Sequence, residues 1–148
     1  MFADADPALM EPRDFARLVT ATPVDELRRV MGGPHRRTIL DGIFVRMPTL
    51  FRADRAGNTE AVLHWSVGDR REGTVDTYEM VIAGGECVLS ERPDREPRLT
   101  LTLSDIDFLK LVSSSANPVT MFVLGRMKAK GDRGLAMRIP TLFDIPKP

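Results

Sequence analysis

The sequence predicts an α+β fold: a five-stranded, mostly antiparallel sheet covered on one face by helices. Three observations predict it. Apolar side chains recur with the helical period up to Phe51, alternate with the strand period from Thr59 to Leu103, and then return to the helical period. Cap and turn residues stand where the period changes. Finally, 148 residues that are 43% hydrophobic and 28% charged suit one globular domain with a sizeable core.

The first dozen residues, with Pro7 and Pro12, read as a loose lead-in, which sets residues 1–21 apart from a domain at 22–148. Asp14 to Val19 forms a short helix. Thr22 then caps a second one, with Pro23 at its first position and Asp25 in its first turn. Leu27, Val30 and Met31 share its inner face, and Gly32-Gly33-Pro34 stops it. Arg36 to Met47 follows, with Ile39, Leu40, Ile43, Phe44 and Met47 on one stripe, and Pro48 ends or kinks it. Ala56-Gly57-Asn58 is a turn.

Thr59 to Gly68 reads as a strand with Ala61, Leu63, Trp65 and Val67 on one side. After a polar turn at Asp69 to Gly73, Thr74 to Ala83 alternates Tyr78, Met80 and Ile82 against Thr77, Glu79 and Val81. Gly84-Gly85 makes a hairpin into Glu86 to Glu91. A polar connection from Pro93 to Pro97 leads to Leu99-Thr100-Leu101-Thr102-Leu103, whose leucines face inward. Ser104 caps the next helix, which buries Ile106, Phe108, Leu109, Leu111 and Val112. Ser113 to Ala116 is a break, and Asn117-Pro118 opens a short helix with Met121, Phe122 and Leu124, closed by Gly125. Arg126 to Lys130 is the last strand. Gly131-Asp132 turns into a final helix with Leu135, Met137 and Ile139, interrupted by Pro140, and Leu142, Phe143 and Ile145 form an apolar tail.

One motif series is specific. Leu101-Thr102-Leu103-Ser104, Asp107-Phe108-Leu109, Leu111-Val112, Asn117-Pro118, Gly125-Arg126-Met127-Lys128-Ala129-Lys130-Gly131-Asp132 and Leu135-Ala136 follow one another between Leu99 and Phe143. In order and spacing this stretch resembles the sterol carrier protein 2 family. The resemblance implies an apolar tunnel between helices and sheet, which takes up sterols, fatty acids, acyl-CoA or similar lipids without a cofactor. It also implies a carboxy-terminal lid, here Asp132 to Ile145. Two departures stand out: Ser113-Ser114-Ser115-Ala116 replaces a glycine common in the family, and Leu124 stands where some members carry a polar residue able to meet a ligand head group.

The remaining chemistry is sparse. Zero net charge favours neither nucleic acid nor an acidic membrane. No apolar run approaches the ~20 residues of a membrane span. The acidic start lacks the features of a secretory signal, and Cys87 is alone, so the expected location is the cytoplasm. His35, His64 and Cys87 match no metal-ligand spacing. No Gly-x-Ser-x-Gly elbow occurs, and Asp105 and Asp107 are explained by a helix start, so no catalytic residue is predicted. Arg28, Arg29, Arg36 and Arg37, and separately Arg126, Lys128 and Lys130, are basic clusters that could dock anionic head groups or acyl-CoA phosphates.

Eight Met and seven Phe beside a single Trp and a single Tyr suit adaptable apolar space. The expected lining of the ligand cavity is Phe44, Met47, Phe51, Trp65, Tyr78, Met80, Leu103, Phe108, Leu111, Met121, Phe122, Met127, Leu135 and Phe143, each a large apolar side chain on an inward face. The functional expectation is non-catalytic lipid binding and transfer by a monomer or homodimer with transient membrane contact. The alternative is an accessory module of a lipid-metabolising system, its groove taken by a protein partner or a second copy.

Overall fold

The computed structural model describes residues 1–69 and 73–148. Helices α1 (Pro12–Ala21), α2 (Val24–Met31), α3 (Arg36–Arg46) and the single turn α4 (Ala53–Ala56) precede strands β1 (Ala61–Asp69), β2 (Thr74–Ala83), β3 (Glu86–Leu89) and β4 (Leu99–Leu103). Helices α5 (Asp105–Val112) and α6 (Pro118–Val123) then lead to β5 (Met127–Gly131) and α7 (Arg133–Leu142). The five strands form one sheet in the order β3-β2-β1-β4-β5. β1 runs parallel to β4 and antiparallel to β2, so Trp65 sits between Tyr78 and Leu101 in the register. The polar turn expected at Asp69 to Gly73 falls largely outside the described residues.

The strand alternation read from the sequence sets the inner face. Leu63, Trp65, Val67, Met80, Ile82, Leu99, Leu101, Leu103 and Met127 are buried there beneath the helices. Side-chain caps begin three of the helices. Ser104 Oγ accepts from Asp107 N at 3.1 Å, Asn117 Oδ1 from Val119 N at 2.9 Å, and Asp132 Oδ1 from Leu135 N at 2.9 Å. Each such cap is worth about 1 kcal/mol.

Several elements differ from expectation. The lead-in is part of the core: Phe2 is 1% exposed, and its ring lies 6.1 Å from that of Phe15 on α1. Gly42 of α3 makes this possible, because a Cβ there would come within 2.7 Å of Ala8 N and 2.8 Å of Pro7 Cδ. Single buried contacts of this kind leave no periodic trace in a sequence. Thr22 does not cap α2; its hydroxyl donates back to Leu18 O at 2.6 Å and finishes α1, while Pro23 takes the cap position of α2. The Arg36 helix ends at Arg46, and Pro48 tightens Met47–Leu50 into a 3₁₀ turn. Pro140 does not interrupt α7. It sits two residues from the helix end, so only the last turn has to accommodate its missing N–H. β3 stops at Leu89, short of Glu91.

Among the described residues, two charged side chains are buried. Arg36, at the start of α3, donates through Nε to Asp76 Oδ2 at 2.9 Å, through Nη1 to Asp105 on α5 and to Met31 O at 3.3 Å, and through Nη2 to Val67 O at 3.0 Å. It ties α2, α3, α5, β1 and β2 together. Glu79 points to the face of the sheet away from the helices, yet it is 1% exposed. The connection after β3 folds over it: Arg95 donates from its backbone N at 2.8 Å and from Nη1 at 3.1 Å, and His64 Nε2 lies 3.0 Å away. Burial pushes the carboxyl up, but hydrogen bonds from Ser90, His64 and Arg95 outweigh it and hold the pKa down at about 2.

Candidate functional site

Between the helical layer and the sheet the space is filled on one side and hollow on the other. On the β2 side Phe44 stacks on Tyr78 with ring centroids 4.0 Å apart and on Phe108 at 5.1 Å. Trp65 meets Phe108 edge-on at 5.9 Å and closes this aromatic block. Trp65, itself almost fully buried, is also a wall of a cavity of about 580 Å³.

That cavity is assembled from distant parts of the chain. Met47 comes from the turn after α3, Leu111 and Val112 from the end of α5, Phe122 from α6, Met127 from β5, and Ala136, Ile139 and Pro140 from α7. The tail supplies Phe143 and Ile145. Backbone bonds hold the tail against the turn after α3: Arg52 N donates to Leu142 O at 2.7 Å and Asp144 N to Leu50 O at 2.8 Å. Phe51 packs edge-on against Phe143 with centroids 5.6 Å apart, and Ser114 Oγ donates to Pro146 O at 3.0 Å. The stretch expected to be a lid, Asp132 to Ile145, thus forms one wall and is fastened at its end.

The floor is apolar and the rim polar. Ser114, Ser115, Asn117, Thr141 and Asp144 border the opening together with three cations, Arg52, Arg55 and Lys147. Arg52 Nη2 lies 3.0 Å from Asp54 Oδ2, and Arg55 Nε lies 3.8 Å from the same oxygen. The Arg52 guanidinium holds the Asp54 carboxyl below the usual carboxylate range. Lys147 has no carboxylate within salt-bridge distance among the described residues. The rim therefore has more positive than negative charge, above a floor of hydrocarbon.

Of the side chains expected to line the cavity, the structure brings Met47, Trp65, Leu111, Phe122, Met127 and Phe143 together around it. Phe44, Tyr78 and Phe108 form the aromatic block, while Met80, Leu103, Met121 and Leu135 are buried in the protein's own packing. Phe51 stands behind Phe143. The sequence reading missed Val112, Ala116, Ala136, Ile139, Pro140 and Ile145 and the whole cationic rim. Large apolar size alone does not mark a wall residue, because a hollow is bordered as much by small ones.

Within the basic cluster, Arg36 and Arg37 are engaged by the protein itself, while Arg28 and Arg29 are exposed. Arg36 is buried with every nitrogen engaged. Arg37 pairs with Asp76 Oδ1 at 2.6 Å and lies over the Tyr78 ring at 5.6 Å. Tyr78 in turn donates its hydroxyl to Asp41. Burial and that bond push its pKa well above the usual phenol value.

His64 serves Glu79 on the far side of the sheet. Cys87 on β3 has its thiol pushed up to about 12 by burial. Among the described residues, no cluster of His, Cys, Asp and Glu could hold a metal ion, and no helix is long and apolar enough to cross a membrane.

Residues 49–144 match the SCP-2 sterol transfer family, a range that includes every cavity wall except Met47, Ile145 and Lys147. Human (Homo sapiens) sterol carrier protein 2 is 30% identical over 81 residues, and the chicken (Gallus gallus) protein is 28% identical over the same length. The match takes in 55% of this chain but only 15% of each of those relatives. Among solved structures, sterol carrier protein 2 from Yarrowia lipolytica, in its apo form, aligns with a TM-score of 0.54 at 20% identity, covering 72% of this chain and 88% of that one. Sterol carrier protein 2 like 2 from Aedes aegypti aligns at 0.54 and 15% identity, covering 72% and 94%. A double mutant of the sec-alkyl sulfatase PisA1 aligns at 0.59 and 16% identity, where the shared part covers 70% of this chain and 16% of the sulfatase. At these identities the likeness is one of fold. By the match over well more than half of its length, the chain belongs to the SCP-2 sterol transfer family.

Proposed function

We propose that this chain binds a single-chain anionic lipid, a fatty acid or its CoA ester, in the cavity beside Trp65 and carries it through the cytoplasm without altering it. The observation that carries this reading is the pairing of an apolar floor with a rim on which Arg52, Arg55 and Lys147 outnumber Asp54 and Asp144, around about 580 Å³. That volume lies within the range of roughly 300–1,000 Å³ typical of small-molecule sites. Each methylene taken from water contributes about 0.8 kcal/mol, so a dozen contribute roughly 10 kcal/mol before the cost of association. A carboxylate or phosphate at the mouth would face the cations, whose value is modest in water and greater at a half-enclosed rim. A sterol is a poorer fit to this rim, because its single hydroxyl gains little from three cations.

The test is native mass spectrometry of freshly purified protein, followed by binding isotherms on the delipidated chain. Palmitate and palmitoyl-CoA should bind saturably with one molecule per chain, and more tightly than cholesterol. If neither anionic lipid binds, the reading is wrong. If cholesterol binds best, the rim has been misread.

A further inference from the structure

The cavity beside Trp65 has a neighbour. A side pocket of about 30 Å³ adjoins it, and three side chains border both spaces: Met47 from the turn after α3, Val112 at the end of α5 and Ile145 in the tail. Met47 and Val112 are buried, and Ile145 is half-buried. The three form a partition one side chain thick. Other parts of the cavity wall are backed by packed rings instead: Trp65 by Phe108 at 5.9 Å between centroids, and Phe143 by Phe51 at 5.6 Å.

The far side of the side pocket is built by the amino-terminal stretch. Pro7, Pro12 and Phe15 border it together with Ile43 and Leu50. Gly42 lets Pro7 lie against α3, where a Cβ would come within 2.8 Å of Pro7 Cδ. The two prolines and Phe15 precede the range 49–144 that matches the family. Among the described residues bordering the pocket, Arg46 is the one that is charged and the rest are apolar. A water there would find few polar partners, so the pocket suits the end of a hydrocarbon chain.

A bound acyl chain gains about fourfold in affinity for each methylene it removes from water, as long as the methylene finds room. Against a packed wall, a further methylene either stays in water or forces side chains out of place. At the partition, only Met47, Val112 and Ile145 stand between the chain and unfilled space.

Resting on the lipid-binding reading above, we propose that Met47, Val112 and Ile145 set the longest acyl chain the protein accepts, and that the amino-terminal stretch closes the side pocket behind them.

The experiment measures binding isotherms of the delipidated chain for the saturated acids laurate, myristate, palmitate, stearate, eicosanoate and docosanoate. For the unmodified chain, affinity should climb along the series and stop climbing at one member. V112A and I145A thin the partition, and each should move that limit to a longer acid. Each should bind the first acid beyond the unmodified limit about tenfold more tightly than the unmodified chain does. L50F fills the side pocket from behind and should cancel this gain when added to either variant. I145A changes a half-buried tail residue, so it tests the partition even where V112A fails to fold. If no acid binds the unmodified chain, the lipid-binding reading fails. If the acids bind but the limit is the same in the unmodified chain and in I145A, the partition is refuted. It is equally refuted if affinity climbs through docosanoate in the unmodified chain, or if L50F leaves the gain intact, since the added room would then lie outside the side pocket.

Discussion

The two halves of the space between helices and sheet use the same kinds of residue to opposite ends. On the β2 side, Phe44, Tyr78 and Phe108 stack face to face, and Arg36 locks the elements that carry them. On the α7 side, Ala116, Ala136 and the polar break at Ser114 and Ser115 leave a hollow that Trp65, Met127 and Phe143 only border. The difference teaches that rigidity and emptiness are divided between regions. Here the well-packed aromatic block lies beside the hollow. Trp65 belongs to both, packed on Phe108 and facing the cavity.

The sharpest way to break the comparison is to damage the filled half. Arg36→Met should destabilise the fold by about 3–5 kcal/mol, because Asp105 would be left without its counter-charge and Asp76 with only the exposed Arg37. Phe44→Ala should cost about 3–5 kcal/mol, since Phe44 is fully buried between two rings. Urea unfolding measures both. A loss below about 1 kcal/mol in either variant would show that the block is not the supporting half.

Much of this fold was legible in the sequence, and the reasons are local. The leucine–threonine alternation of β4 could bury only one face, and Ser104, Asn117 and Asp132 announced their helices. What was not legible depends on contacts through space. The packing of Phe2 and Pro7 on Gly42 has no periodic signal. Glu79 reads as a solvent-facing strand residue, and only the fold of Arg95 over it makes it buried. The cavity was the least legible feature, because a hollow is defined by side chains that fail to meet. Ala136, a small residue on the buried face of α7 beside Leu135 and Ile139, was the available clue.

Glu79 gives a smaller effect, outside both halves. Its pKa is depressed to about 2 from an ordinary 4.5, so the folded state holds it ionised where the unfolded chain would be protonated. The resulting stability is present above pH 4.5 and is lost as pH falls toward 2. Glu79→Gln should therefore flatten the acid limb of the stability curve between those values and lower stability near neutrality. Thermal melts across that range measure it. An unchanged acid limb would mean that the Arg95 and His64 contacts do not form in solution.

The smallest effect belongs to the rim. Arg52→Gln and Lys147→Gln should each weaken palmitate binding only a few-fold, as exposed charges contribute about 0.2–1 kcal/mol. Isotherms at low and high salt measure it, with the loss shrinking as salt rises. An unchanged affinity in both variants would remove the cations from the account.

The most direct test uses the single tryptophan, which stands at the boundary of the two halves with its indole N–H buried and unpaired among the described residues. Trp65 emission of the delipidated protein is followed during a palmitate titration, for the unmodified chain and for Ala136→Phe, which inserts a ring into the hollow. The emission of the unmodified chain should change and saturate, whereas the variant should fold with similar stability and show no saturable change. A variant that binds palmitate as tightly as the unmodified chain, with the same change at Trp65, would contradict the claim that the lipid occupies the hollow half.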